Sequence, residues 1–168
     1  MSVKEFVLKK LEENRGIPLS GEAIANSLSV SRAAVWKAVR ALEAEGYHIE
    51  AVPNQGYTLC TDNDLLSTQG ILPYLTPPLK SREIRVFPCL PSTNQEAKRM
   101  ALESAEQGSA VLAEEQSAGR GRLGRSFFSP RGNGLYMSVI LRPKADVSNA
   151  VLITTAAAVG VCLSLIHI

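Results

Sequence analysis

The sequence predicts an α+β protein in two parts: a helical front ending in a short β-hairpin, then a mixed sheet with helices. Three observations carry this. Apolar residues recur at the helical period up to Gly46 and alternate at the strand period after it. Residues 61–83 are first polar and then hold Pro73, Pro77 and Pro78, the composition of a connection. From about residue 84, short apolar runs alternate with a helical stretch and glycine-rich turns, which suggests a sheet covered by a helix. The 168 residues are 45% hydrophobic and 20% charged, the balance of a folded globular chain and not of a disordered tail.

The front part reads in order. Val3, Phe6, Val7, Leu8 and Leu11 form an apolar stripe over residues 2–13, and Asn14, Arg15 and Gly16 end that helix. Ser20 caps a short second helix over residues 21–28. Ser31 caps a third over residues 32–45, closed by Gly46. Ile24, Leu28, Val35, Val39 and Leu42 are expected in one core. Tyr47, Ile49 and Ala51 then alternate with His48 and Glu50. A turn at residues 53–56 leads into a second strand over residues 57–60, which makes a hairpin. Three helices and a hairpin make a winged helix-turn-helix over residues 1–60. Residues 61–83 are read as a linker with a short helix near residues 65–72.

The back part, residues 84–168, is expected to run strand (84–87), loop, helix (94–106), strand (110–114), loop, turn (129–134), strand (135–141) and a helix from Ser148 onward. Residues 149–168 carry no Lys, Arg, Asp or Glu and approach the length of a membrane span. The run is rich in Ala, Thr and Gly and has no aromatic or basic far flank, so a buried helix of a globular domain is expected, with no membrane partner. The N-terminus has no apolar signal region. Cys60, Cys89 and Cys162 are far apart, and His48 and His167 stand alone. Neither a disulfide framework nor a metal site is expected, which suits a reducing cytoplasm.

Net charge is only +2, and residues 1–60 balance seven Lys/Arg against seven Asp/Glu. The second helix of a helix-turn-helix lies in the DNA major groove and presents its N-terminal side chains to base edges. Ser31, Arg32, Lys37 and Arg40 are the polar candidates on that helix, Trp36 lies between them, and Asn54 and Gln55 sit at the hairpin tip to touch the adjacent backbone. A small structural or protein-binding helical domain is the alternative that the neutral charge favours. A domain of this charge is expected to bind DNA as a dimer on two half-sites.

The basic excess lies at residues 114–144, six Lys/Arg against two acids. Within it, Gly119-Arg120-Gly121-Arg122-Leu123-Gly124-Arg125 alternates glycine, which lets a backbone approach a ligand closely, with guanidinium groups that grip phosphate or carboxylate oxygens. Such a loop suits an acyl-phosphate or adenylate. Gly119, Gly121 and Gly124 match the dinucleotide fingerprint literally, but no long apolar helix follows, and no P-loop lysine is present. An RNA-binding Arg/Gly segment is disfavoured by its single copy between apolar strands. Ser92 or Thr93 is expected to cap the next helix, with Glu96 completing a capping box, and the same hydroxyls can bond a small polar head group.

Taken in order, Pro91-Ser92-Thr93-Asn94, Ala113-Glu114-x-Gln116, the Arg/Gly run, Phe127-x-Ser129-Pro130 and Gly134-Leu135-Tyr136-x-Ser138 resemble the biotin–protein ligase family. The front motifs, residues 30–37 and 52–59, are similar to the repressor domain of its bifunctional members. The resemblance covers roughly residues 1–160 and implies a class II synthetase-like catalytic domain. It implies a ligase that joins biotin to AMP from ATP with magnesium, then passes biotin from biotinyl-5′-AMP to a lysine of the biotin carboxyl-carrier protein of acetyl-CoA carboxylase. It also implies repression at biotin operator DNA by an adenylate-promoted homodimer. Ser92, Thr93, Asn94 and Gln116 would line the biotin pocket. Gly119, Arg120, Gly121 and Arg122 would close over the adenylate, with Arg120 and Arg122 in the catalytic role beside its phosphate and carboxyl, and Arg125 completes the cationic set. Phe127 stands where the family often has Trp.

The family's essential lysine lies in a Lys-Trp-Pro-Asn-Asp segment, and none occurs in these residues. The reading is therefore of a C-terminally incomplete catalytic domain with most activity lost. A biotin- or adenylate-sensing transcription factor without ligation is the alternative. A lipoyl or octanoyl ligase is opposed by the Arg/Gly loop and the winged helix.

Overall fold

The structure, a computed structural model, describes residues 1–143 and 150–166. The front part holds α1 (Val3–Glu13), α2 (Gly21–Leu28), α3 (Arg32–Ala44) and an antiparallel hairpin of β1 (Ile49–Val52) and β2 (Gly56–Leu59). Each helix starts where its sequence supplies an oxygen for an orphan backbone donor. The Ser2 hydroxyl accepts from the Glu5 amide while the Glu5 carboxylate accepts from the Ser2 amide, a complete capping box. The Ser20 and Ser31 hydroxyls accept from Ala23 and Ala34. Between α2 and α3 the chain reverses through Ser29, a non-glycine residue in the left-handed region at φ 55°.

The hairpin gains a third partner: the amides of Leu19 and Tyr57 each donate to the other's carbonyl at 2.9 Å. The approach is so close that a Cβ on Gly56, at φ +111°, would overlap the Leu19 carbonyl, so only glycine fits. Val7, Leu11, Val35, Val39, Leu42 and Leu59 fill the core beneath. Leu28 is only partly buried, and Ala51 is exposed where alternation placed it inward.

Residues 61–83 are folded and hydrogen-bonded on both sides. They hold α4 (Thr68–Ile71), a 3-10 turn (Leu72–Tyr74) and α5 (Pro77–Lys80). The Arg15 guanidinium donates to the Asn63 carbonyl at 2.6 Å, the Leu66 amide to the Glu114 carboxylate at 3.2 Å, and the Thr68 hydroxyl to the Ile84 carbonyl at 3.1 Å.

The back part is a mixed three-stranded sheet in the order β3 (Ile84–Phe87), β4 (Ala110–Ala113), β5 (Tyr136–Val139). β3 and β4 are parallel, and β4 and β5 antiparallel. α6 (Thr93–Leu102) makes the crossover between the parallel pair and packs on β4 and β5. β4 is buried along its whole length, as a central strand must be. β5 alternates: Tyr136 is half-buried on the side of α6, while Met137 and Val139 are exposed on the other.

α7 (Ala150–Ile166) corrects an expectation. It was expected to be buried, yet it is exposed along almost its whole length. No described element packs along it, and its apolar residues run all round, so no single face selects a partner. Its expected start at Ser148 and the lone His167 fall outside the described residues. No helix among the described residues is long and apolar enough to cross a membrane.

Candidate functional site

Two surfaces hold the candidate residues. On α3, Val35, Ala38, Val39 and Leu42 turn into the core. On the opposite side Arg32, Trp36 and Arg40 are exposed at the four-residue spacing that shares one helix face, with exposed Lys37 beside them. Trp36 is 49% exposed. The Arg40 guanidinium lies 5.6 Å from its ring centroid and 2.8 Å from the Glu43 carboxylate, so it is held flat along the helix. Ser31 is committed to its cap, its hydroxyl 3.2 Å from the Ala34 amide. Arg32 shares a cleft with Gly21, Glu22 and the hairpin residues Pro53, Asn54 and Gln55. The fold thus gathers Arg32, Asn54 and Gln55 around one concavity, with Trp36, Lys37 and Arg40 further along the helix.

The second surface lies where α6, the end of β4 and the Arg/Gly loop meet. Thr93 is 4% exposed and Ser92 5%. The Gln116 carboxamide oxygen accepts from the Thr93 amide at 2.8 Å and lies 3.2 Å from the Thr93 hydroxyl, and its nitrogen donates to the Ser129 hydroxyl at 3.1 Å. The Ser138 hydroxyl donates to that of Thr93 at 2.9 Å. Ser138, Thr93, Gln116 and Ser129 therefore form one polar chain across three elements. Buried polar groups require such partners, and a ligand with matching donors and acceptors can exchange for them.

The loop is anchored on that chain. The Gln116 amide donates to the Ser129 carbonyl at 3.0 Å, the Phe127 amide to the Gly119 carbonyl at 2.9 Å, and the Gly121 amide to the Arg125 carbonyl at 2.7 Å. A Cβ on Gly119 would sit 2.6 Å from the Phe127 carbonyl and 2.7 Å from the Ser129 hydroxyl, so glycine is required by close approach. The tip, a 3-10 turn at Arg122–Gly124, puts Leu123 at φ 58° and leaves it 95% exposed.

Arg120 and Arg125 are exposed and make no side-chain hydrogen bond or ion pair among the described residues; the Arg122 side chain lies outside them. By contrast, Arg131 pairs with Glu114, and the Arg142 guanidinium donates to the carbonyls of Ala101 (2.8 Å) and Ala105 (3.0 Å). Among the described residues, the basic excess therefore divides into Arg131 and Arg142, spent on the fold, and Arg120 and Arg125, which meet no protein anion. The latter suit an external phosphate or carboxylate.

Asn94 is exposed on the first turn of α6 and makes no side-chain hydrogen bond among the described residues. The expected capping box at α6 is absent. The helix starts one residue early, with Ser92 at the N-cap, so Gln95 and not Glu96 stands at the box position; Ser92 makes no side-chain cap bond, and Glu96 pairs with Arg99 at 2.6 Å and Arg85 at 3.2 Å. The Arg99 guanidinium, followed by Arg85, holds the Glu96 carboxyl below its ordinary value of 4.5 against a smaller opposing effect of burial. Ser129 and Ser138 join this polar chain from outside the set of residues the sequence points to, although the runs Phe127-x-Ser129-Pro130 and Tyr136-x-Ser138 carry them. The two-residue period of β5, which sets Ser138 on the same face as Tyr136, is the signal that points to it.

Comparisons with known proteins find two families along the chain. The family described as HTH domain matches residues 3–58, and the biotin/lipoate A/B protein ligase family matches residues 86–166. The chain is 38% identical over 143 residues to the bifunctional ligase/repressor BirA of Bacillus subtilis, an alignment covering 85% of this chain and 44% of that protein. It is also 38% identical over 123 residues to the bifunctional ligase/repressor BirA of Escherichia coli, covering 73% of this chain and 37% of that one. The chain thus spans less than half the length of these curated relatives. A biotin protein ligase from Leishmania major, solved with biotinyl-5-AMP, matches at 40% identity over 37% of this chain and 23% of that chain, with a TM-score of 0.31.

Proposed function

We propose, from the premise that this chain belongs to the biotin/lipoate A/B protein ligase family and carries an HTH domain in front of it, that it is part of a biotin–protein ligase that also represses transcription. The observation that carries the ligase half is the join between the Ser138–Thr93–Gln116–Ser129 chain and the glycine-pinned loop bearing Arg120 and Arg125. A ureido ring offers two N–H donors and a carbonyl, which suits Thr93, Gln116 and Ser92, with Asn94 at the rim. The carboxyl end of biotin and the phosphate of the adenylate suit Arg120, Arg122 and Arg125 across Gly119 and Gly121. These residues fit the ligand chemically: buried and half-buried hydroxyl and amide groups at one end, arginines on a glycine-rich loop at the other.

In the reaction, a biotin carboxylate oxygen attacks the α-phosphorus of ATP and pyrophosphate leaves. The amine of an acceptor lysine then attacks the acyl carbon, and AMP and a proton leave. Arg120 and Arg122 are proposed to hold the charge that develops on the phosphoryl and carboxyl oxygens. Magnesium would arrive with ATP and shield its phosphates. The acceptor is proposed to be a biotin carboxyl-carrier protein, the repressor a ligand-promoted homodimer on operator DNA, and the compartment the cytoplasm. Turnover by these residues alone is proposed to be low, because the lysine segment of the family is not among them.

The deciding experiment has two arms. Calorimetry with biotinyl-5′-AMP should show saturable binding that Arg120→Ala weakens. An operator fragment should be retained by the parent and released by Arg32→Ala. Absence of any adenylate binding removes the ligase reading, and DNA affinity unchanged by Arg32→Ala, Lys37→Ala and Arg40→Ala removes the docking face. Adenylate binding without acceptor labelling in the full-length protein would favour a sensor without ligation.

A further inference from the structure

We infer that the base of the hairpin carries a site for a borderline-soft divalent cation, Zn2+ by its donor chemistry, formed by His48, Glu50 and Cys60. The site is separate from the Arg/Gly loop and does not depend on the proposed function. It arises from strand pairing. Ile49 lies opposite Leu59 and Glu50 opposite Thr58, so the register sets His48 across from Cys60, and the Cys60 amide donates to the His48 carbonyl at 2.9 Å. His48 and Glu50, two residues apart, share the face that Cys60 occupies on the neighbouring strand. One imidazole nitrogen, one thiol sulfur and one carboxylate oxygen come within 4.8 Å of one another. Small rotamer changes close that spread to the geometry of metal–ligand bonds of about 2.0–2.3 Å.

Three protein ligands of N, S and O type, with water completing a tetrahedron, make a donor set that Zn2+ accepts. Asp62 adds the outer partner that metal-bound histidines use: its carboxylate lies 3.2 Å from His48 Nδ1, which fixes the ring and leaves Nε2 for the cation. Asp62 is thus a positioning residue. When a cation binds, the sulfur gives its proton to solvent and its lone pair to the metal.

Sequence spacing does not show the site, because Cys60 lies far along the chain from His48 and only the hairpin register joins them. The test uses the whole chain with Cys89→Ser and Cys162→Ser, so that Cys60 is the sole thiol. Zn2+ is titrated against a chromogenic chelator, and Co2+ is followed by its thiolate charge-transfer band. The expected result is one equivalent bound, the thiolate band present, one proton released per cation, and a higher Tm. His48→Gln, Glu50→Gln and Cys60→Ser should each weaken binding on the order of tenfold or more while leaving the metal-free Tm unchanged; His48 and Glu50 are exposed, so these two variants keep the test open should Cys60→Ser fold poorly. No binding at micromolar Zn2+, a Co2+ spectrum without the thiolate band, or full affinity in any of the three variants would overturn the proposal.

Discussion

Half-buried Gln116 holds an amide and a hydroxyl of one residue and the hydroxyl of another. Replacing it with Leu keeps the volume and removes every one of those bonds, leaving the Thr93 amide without its acceptor. We expect Gln116→Leu to cost about 1–3 kcal/mol of stability, read by urea denaturation, and to weaken biotin binding as well. A stability equal to the parent's would mean that water already serves these groups. Arg120 gives the opposite signature. It is exposed and touches no core residue, so Arg120→Ala should leave the melt unchanged. Removal of a bond to a charged ligand group should loosen the adenylate by about 1.5–3 kcal/mol, read as its dissociation rate and as stray labelling of lysines. Glu96 supplies a pH dependence. Its carboxyl is held below 4.5 by Arg99 and Arg85, so the stability it adds is present above the ordinary value and lost as pH falls through the lowered one. Melting between pH 5 and 2 should therefore fall less steeply in Glu96→Gln than in the parent, about the ordinary carboxylate range. Parallel curves would show that the ion pairs on α6 are solvent-screened to nothing.

The helices were legible from the sequence because the groups that start them are local. Ser2, Ser20 and Ser31 each sit three residues before the amide they satisfy, so spacing alone fixes the boundary. The capping box expected at α6 failed because the helix starts at Thr93 with Ser92 as its N-cap, which sets Gln95 at the box position and leaves Glu96 to pair with Arg99 and Arg85. Spacing could not show the Thr93–Ser138 contact at all, since its partners are 45 residues apart. The Arg/Gly loop was legible as a basic, glycine-rich segment, but its anchoring on Ser129 was not, because that depends on the close approach at Gly119. The cap argument yields a measurement. Ser31→Ala should cost about 1 kcal/mol through the lost bond to Ala34 and weaken DNA binding by fraying the helix that presents Arg32. A stability loss without a DNA effect would separate the helix start from the docking face.

At the scale of the whole molecule, the two parts are unequal. The front closes a core between three helices and a hairpin, with Val7, Leu11, Val35, Leu42 and Leu59 sealed from solvent. Among the described residues, the back packs one helix, α6, on one face of its sheet. On the other face, β5 leaves Met137 and Val139 exposed, and α7 presents Val159, Val161, Leu163 and Leu165 to water. Apolar surface of that extent, beside a strand edge with free backbone groups, favours association. The outcome expected in sedimentation velocity is concentration-dependent self-association of the chain, strengthened by sulfate, which promotes apolar burial. Charge placed on that surface should oppose it. Val139→Lys with Leu163→Lys is expected to lower the associated fraction and to leave the melting of the front part untouched, since neither residue contacts its core. If the double variant associates as strongly as the parent, the exposed faces of β5 and α7 are not the surfaces that meet, and the front part, with its exposed Trp36, becomes the place to look.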